Sequence, residues 1–366
     1  MEAFNDIFED CTRLGTKIPK DNYLSEGKYI VVDQGQNIIA GYTNEEDGLY
    51  EDVPAIVFGD HTRIIKYVDE PFFLGADGVK LLKSKKKDAN YKYLYYALKN
   101  ARIPDTGYNR HFKWLKEVNI EYPEPDKQQK IVEVLDKISR VIEERKLELQ
   151  QLDELIKARF VEMFGDSVTN NMQWDMDTLL GVLEAGRTVT YGIVQTGDDV
   201  DEGIPVFRPI DIAGGHVPKR EELKKTLPEI SDKYKRTVLK GNELLITVRG
   251  SVGETFQVSE EFVGCNVGRN IVPLVTDKKR VNQRFLQELF AQKPIRDWLK
   301  AITKGIALQG LNMSEFKEMP VIVPEMRLQE EYVEFANQVD KSKVAVQKSL
   351  DETQTLFNSL MQEYFG

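Results

Sequence analysis

The chain repeats itself. Displaced by 201 positions, the end of its first half lies over the end of its second without a gap. "LKEVNIEYPEPDKQQKIVEVLDKI" (115–138) falls on "FKEMPVIVPEMRLQEEYVEFANQV" (316–339). Lys116-Glu117 meets Lys317-Glu318, Pro123-Glu124 meets Pro324-Glu325, Gln128 meets Gln329, and Val132-Glu133 meets Val333-Glu334. The far ends agree too, "FVEMFG" (160–165) over "MQEYFG" (361–366). A single register held across residues 115–165 is poorly explained by chance, so any fold must accommodate two copies of one arrangement.

Each matched segment reads as a Pro-punctuated strand followed by a long helix. In the first helix, apolar residues fall at Ile131, Leu135, Ile138, Ile142, Leu149, Leu152, Ile156 and Met163, interrupted at Arg145 and Arg159. That is the alternating 4–3 spacing of a coiled-coil seam. The second seam is Tyr332, Ala336, Val339, Val346, Leu350, Phe357, Leu360 and Tyr364, interrupted at Lys343 and Thr353. The interruptions sit at different levels, which suits an intramolecular, heterotypic pair; the plainer alternative is two unrelated surface helices on separate cores. From Lys127 to Phe164 a helix runs about 55 Å at 1.5 Å per residue, longer than a compact domain needs, so it reads as a spacer. Gly165 suits a left-handed C-cap.

The intervening segments correspond more loosely. "GKYIVVDQGQNI" (27–38) resembles "GIPVFRPIDIAG" (203–214), and "VPAIVFGDHTR" (53–63) matches "GNELLITVRGSVG" (241–253) in position. "FFLGADGVKLL" (72–82) answers to "FVGCNVGRNIVPL" (262–274), and "YKYLYYALKN" (91–100) to "NQRFLQELFAQ" (282–292), an amphipathic helix. The order is globular, helix, globular, helix.

Composition narrows the class. No apolar run approaches the roughly 18–20 residues of a membrane span, and the acidic "MEAFNDIFEDCTRLG" has no signal-peptide pattern. Cys11 and Cys265 alone, far apart, argue for a reducing cytoplasm and against a disulfide framework. With only His61, His111 and His216 beside them, no zinc-ligand spacing exists. The net charge of −10 disfavours indiscriminate polyanion binding, yet cations cluster with aromatics between Val79 and Lys116 and again from Lys278 to Lys304. Those clusters read either as solvated faces over a core or as phosphate-facing surfaces. No Walker A loop, no G-x-G-x-x-G after a strand, no Asn/Asp-Pro-Pro-Tyr/Phe, no G-x-S-x-G and no H-E-x-x-H is present. Duplicated modules on a spacer without catalytic motifs point to a reader.

The repeat "P-x-x-x-x-Q-x-x-I/Y-V", with its long helix closing on Phe-Gly, resembles the two similar regions of type I restriction-modification specificity subunits. "FGDHTR…LGADGVK" and "GIPVFRPIDI…LKGNELLITVRGSVG" look like their target recognition domains. The resemblance implies an α+β fold with a pseudo-twofold repeat. Two globular target recognition domains of mixed sheet plus helices would be separated by two long helices forming an antiparallel intramolecular coiled coil. The expected boundaries are residues 1–125 and 167–325 for the recognition domains, and 126–166 and 326–366 for the spacer helices. It also implies a non-catalytic, cytoplasmic subunit that reads a bipartite, asymmetric site on double-stranded DNA. Expected partners are two methyltransferase subunits modifying adenines and ATP-driven restriction/translocase subunits. S-adenosylmethionine, ATP and Mg²⁺ would sit on those partners, with no cofactor or metal in this chain. The rivals are a coiled-coil assembly scaffold without base preference and a nuclease with unrecognised catalytic residues.

Candidate DNA contacts follow from side-chain chemistry, with Arg, Lys, Asn and Gln for base edges and cations or hydroxyls for phosphates. The first domain offers His61, Thr62, Arg63 and Lys66, with Lys80, Lys83, Lys85, Lys86 and Lys87 for phosphates. "TGYNRHFKW" (106–114) adds Tyr108, Asn109, Arg110 and Lys113, its counterpart "GIALQGLNM" (305–313) Gln309 and Asn312; this stretch reads equally as a hinge against the helices. The second domain offers Tyr191, Gln195, Arg208, Lys219, Arg220, Arg249 and Arg269. Asp60-His61 could be a dyad, but "ITVRGSVG" has neither residue, so the stretch reads as a strand-to-loop turn in which Asp60 bonds nearby backbone N–H groups.

Overall fold

A computed structural model describes residues 1–75, 78–215, 217–304 and 310–366, so His216 and Gln309 lie outside the described residues. The protein divides into two compact units, Met1–Leu147 with Gln347–Gly366, and Glu148–Val346.

In the first unit, β1 (Phe8–Asp10), β4 (Ala55–Gly59), β5 (Ile65–Val68) and β7 (Val79–Ser84) form an antiparallel sheet in the order β1-β7-β4-β5. A second sheet has β2 (Tyr29–Val32) between antiparallel β3 (Gly41–Thr43) and parallel β6 (Phe72–Leu74). The continuous apolar run "AIVFG" is explained by β4, buried on both faces. Ile56 and Phe58 enter one apolar cluster, while Ala55 and Val57 enter another. α1 (Tyr91–Lys99) starts where the Asn90 side chain accepts the Tyr93 N–H at 3.1 Å.

The second unit repeats the plan. β10 (Leu244–Thr247) pairs antiparallel with β11 (Thr255–Gln257) and β13 (Ile271–Leu274). β8 (Ile204–Phe207) again sits between an antiparallel strand, β9 (Lys225–Thr226), and a parallel one, β12 (Asn266–Val267). α4 (Gln283–Ala291) is capped by Asn282, as α1 is by Asn90. The loosely matched segments are thus equivalent elements: β2 with β8, β4 with β10, α1 with α4.

The long helices are α3 (Pro125–Phe164) and α6 (Met326–Phe365), each of 40 residues and about 60 Å long. Gly165 leaves α3 with a φ of 70°, its N–H bonded to Val161 O. Within the first unit, Ile131, Leu135, Ile138 and Ile142 join one cluster with Leu350, Phe357, Leu360 and Tyr364. Within the second, Leu152, Ile156 and Met163 join Tyr332, Ala336 and Val339. All ten seam positions of each helix are buried or half-buried, including Leu149, Val346 and the polar interruptions. Arg159 survives there by pairing with Glu162 at 2.8 Å and lying over Phe335. Lys343 pairs with Asp153 at 2.5 Å.

The shared glutamine of the repeat has a local task. Gln128 is buried and its amide donates to Pro123 O at 2.7 Å. Gln329 donates to Pro324 O at the same distance, while its oxygen accepts the Asn282 N–H at 2.9 Å. Each glutamine ties the first turn of a long helix to the proline that precedes it.

Candidate nucleic-acid interface

The two candidate stretches of the first half, 48–52 residues apart in sequence, form one site. β4 ends at Gly59, and the turn closes where the Arg63 N–H bonds Gly59 O at 2.7 Å. Asp60, only 4 % exposed, accepts the Phe112 N–H on Oδ1 at 2.7 Å. It thereby caps α2 (Phe112–Leu115), whose own preceding residue, His111, caps nothing. The Asp60 carbonyl accepts the His111 N–H at 2.8 Å and its Nδ1–H at 3.0 Å. His61 points the other way. Its Nδ1 lies 3.1 Å from Asn109 O, and its ring stacks on Tyr108 with centroids 4.7 Å apart and planes 8° apart. Thr62 Oγ1 donates to Gln34 O at 2.6 Å.

Arg63 takes a left-handed φ of 62°, uncommon outside glycine. Its guanidinium meets Asp105 at 2.7 Å, clamping the turn to the 104–110 loop. The Gly107 N–H, and then that guanidinium, hold the Asp105 carboxyl below its usual range. Arg63 and Thr62 also line a cleft of about 720 Å³, with Tyr67, Tyr95 and Lys99 on its other walls. Tyr108 is 85 % exposed, and Arg110 and Lys113 are exposed beside it, Lys113 lying over Trp114.

The basic run is another matter. β1 pairs with β7 and brings the acidic N-terminal stretch alongside "KLLKSKKK". Lys80 bonds Asp10 at 3.0 Å, and Lys86 meets Glu2 at 2.6 Å. Lys85 donates to Asn5 O, and Lys83 divides its three protons among Asp52 Oδ1, Asp52 O and Pro54 O. Lys85 and Lys87 are exposed without an ion pair, and only Lys87 of this series also lacks a hydrogen bond among the described residues. Lys66 is buried away from any DNA-facing surface, contrary to its expected role. It is 3 % exposed, donates to Asn37 O, faces Asp33 at 3.6 Å, and burial holds its pKa down.

In the second unit, the turn after β10 is built like the turn after β4. The Gly253 N–H closes it on Thr247 O at 2.9 Å, and Val248 O accepts the Leu311 N–H at 2.9 Å. Arg249 and Arg269 are exposed, and neither side chain has a polar partner among the described residues. Tyr191 and Gln195 are exposed as well. Three other candidates do structural work. Arg208 opens a short helix and grips Asp211 with Nε at 3.2 Å and Nη2 at 2.9 Å. Arg220 turns inward to the carbonyls of Glu261 and Val263. Asn312 accepts the N–H groups of Ser314 and Glu315, capping α5 (Met313–Lys317). Lys219 stays on the surface with Glu222 at 3.6 Å.

A second shared feature joins each globular head to a long helix. Lys92 on α1 meets Asp136 on α3 at 2.6 Å, and Tyr96 donates to the same carboxylate at 2.7 Å. Arg284, the matching residue of α4, bridges Asp340 of α6 at 2.8 Å and Glu288 at 2.7 Å. Burial pushes the Glu288 carboxyl up. Sequence reading assigned none of these pairs. The signal was a cation at the second position of both head helices.

Among the described residues no group of three or more His, Cys, Asp or Glu could hold a metal ion. Nor is any helix among them long and apolar enough to cross a membrane.

Comparison with known proteins places these features in a wider setting. The family profile described as type I restriction modification DNA specificity domain matches residues 3–153 and 173–353. The specificity subunit of the Escherichia coli type I restriction enzyme EcoBI is 25 % identical over 271 residues, which is 68 % of this chain and 57 % of that subunit. The EcoR124I/EcoR124II specificity subunit is 22 % identical over 329 residues, covering 85 % of this chain and 79 % of the relative. The S subunit of a type I restriction-modification system from M. genitalium superposes over 100 % of this chain and 95 % of its own, with a TM-score of 0.57 at 17 % identity. A chain solved in work on complex assembly and conformational transition of the type I R-M system gives a TM-score of 0.54 at 15 % identity, over 100 % and 95 % of the two chains.

Proposed function

Because the chain belongs to the family of type I restriction modification DNA specificity domains, we propose that it is the sequence-reading subunit of a type I restriction-modification complex. Each head engages one half of a split, asymmetric site on duplex DNA, and the paired helices fix the gap between the halves. The observation that carries this reading is the repeated turn. In both heads the central strand ends in a loop bonded to the segment before a short helix, α2 or α5. These loops carry exposed, unpaired cations, Arg110 in one and Arg249 in the other, with Arg269 exposed and unpaired between β12 and β13. Such groups suit base edges and phosphates, whereas the neutralised lysines of β7 do not. A helix of about 60 Å matches half-sites separated by one to two duplex turns of about 34–36 Å each.

Two methyltransferase subunits dock on this chain and modify an adenine in each half-site, and restriction/translocase subunits join them. S-adenosylmethionine serves the former, ATP and Mg²⁺ the latter, all in the cytoplasm. A base must leave the stack for methylation, so the reader's part is to hold the duplex while its partner reaches the base. Duplex binding by the chain, alone and with its methyltransferase subunits, tests this reading against a pure scaffold. A split base preference is expected, matching the adenines mapped as methylated in cells carrying the system. Equal binding to all duplexes in both states would leave only the scaffold.

A further inference from the structure

His61 and Arg249 occupy the same place in the two heads. The Asp60 N–H bonds Gly78 O at 2.7 Å, and the Val248 N–H bonds Asn270 O at 2.8 Å. The carbonyls of Asp60 and Val248 then accept the N–H groups of His111 and Leu311, at 2.8 and 2.9 Å. Each next residue therefore starts its turn from the same backbone frame. Both are tied down further. The His61 ring is held by Asn109 O and by its stack on Tyr108, and its backbone N–H donates to Gln34 Oε1 at 3.3 Å. Arg249 pairs backbone to backbone with Gly310. A Cβ at Gly310 would lie 2.9 Å from Arg249 Cγ and 3.0 Å from its Nε, so that glycine leaves room for the side chain.

Their hydrogen-bonding characters are opposite. A carbonyl oxygen can only accept, so His61 Nδ1 carries the proton that it shares with Asn109 O. In the neutral ring Nε2 is then an acceptor. It has no partner among the described residues and is not among the buried polar atoms. Arg249 can only donate, and its guanidinium is exposed with no polar partner among the described residues. In the major groove, adenine N6 and cytosine N4 offer donors, while guanine O6 and N7 offer two acceptors in the geometry of a guanidinium fork.

We propose that His61 and Arg249 are equivalent base-reading residues of opposite sense. His61 selects a base with an exocyclic amino group, adenine or cytosine, in one half-site, and Arg249 selects guanine in the other. This assignment rests on the reading of the chain as a two-headed DNA reader.

The test is selection from a randomised duplex library at pH 8 by the chain assembled with its methyltransferase subunits. Wild type is compared with His61→Ala, His61→Arg and Arg249→Ala. His61→Ala should lower discrimination at one position of one half-site by about 10- to 100-fold, the range set by a single good base contact. His61→Arg should move the preference at that position to guanine, an outcome that damage to the fold would not produce. Arg249→Ala should relax a guanine in the other half-site. A preference unchanged through both His61 variants overturns the assignment, as does a wild-type preference for guanine or thymine at the His61-dependent position, or relaxation of the same half-site by both alanine variants. A wild-type complex with no base preference would defeat the DNA-reading function itself, and the assignment with it.

Discussion

The two heads reach one geometry by different chemistry. In the first, the helix beside the turn is capped from a distance, Asp60 reaching Phe112 N–H across 52 residues of sequence. In the second, the equivalent helix is capped by its own Asn312. The joints to the long helices differ too. Lys92–Asp136 is a partly exposed pair, with side chains 42 % and 27 % accessible. Arg284 serves two carboxylates at once, one of them the buried Glu288 that Tyr332 also approaches at 3.5 Å. The first head therefore couples the turn after β4 to its helix and sits on a lightly held joint. The second keeps those tasks separate and closes its joint with buried charge. Both heads cap this helix and anchor to a long helix, but the groups and their places have moved: Asp340 lies about one turn beyond Asn337, the residue that answers to Asp136.

The largest consequence should appear at Arg284. Arg284→Ala strands Glu288 in a buried site without its counter-charge, at a cost of about 3 kcal/mol. Two compact units make global unfolding a poor probe, so the readout is amide exchange along α4. The loss should depend on pH. Burial raises the Glu288 carboxyl in the folded state, so the fold binds its proton more tightly than the unfolded chain does. Stability therefore rises as pH falls through that raised value and levels off below the ordinary carboxylate range. Loss of the arginine pushes that carboxyl higher still, so the deficit of Arg284→Ala should shrink as pH falls toward the wild-type value and stay constant below it. A deficit independent of pH would show that Glu288 is not what the arginine satisfies.

The caps come next. Asp60→Ala leaves a buried N–H at Phe112 without its charged acceptor, at a cost of about 2 kcal/mol. It also frees the turn from the loop that carries Tyr108. Asn312→Ala removes an ordinary N-cap, at about 1 kcal/mol. Exchange of the amides in α2 and α5 measures both. Equal losses in the two heads, or an undisturbed 104–110 loop in Asp60→Ala, would break the distinction between remote and local capping.

Much of this was legible in sequence because it is local or periodic. The seams of α3 and α6 follow a 4–3 rhythm, Gly165 marks a helix end, and the 201-residue displacement exposes the duplication. The alternation inside "AIVF" was less plain, since a strand buried on both faces has no polar side to mark its period. Sheet closure was not legible at all. Nothing in "FGDHTR" or "TGYNRHFKW" announces that they meet, and "KSKKK" reads as a phosphate surface until β1 lies beside it. Acidic "MEAFNDIFED" was the available clue, because opposite charge on two short strands favours their pairing. Arg208, Arg220 and Asn312 looked like ligand contacts for a related reason. Donors suited to DNA are equally suited to carbonyls and helix ends, and only the fold decides which they meet.

The smallest effect should sharpen the comparison most. Lys92→Ala removes one partner of a half-exposed pair, for which a loss below about 1 kcal/mol is expected. Asp136 keeps its hydrogen bond from the Tyr96 hydroxyl at 2.7 Å, so no charge is left stranded. A double-mutant cycle of Lys92→Ala with Asp136→Ala should return a coupling of about 0.5 kcal/mol, reduced further by salt. The same cycle on Arg284 and Asp340 should return a coupling more than twice as large, because the arginine there also answers to Glu288. If the two couplings agree, the joints are equivalent despite their chemistry, and the difference between the heads is confined to the caps.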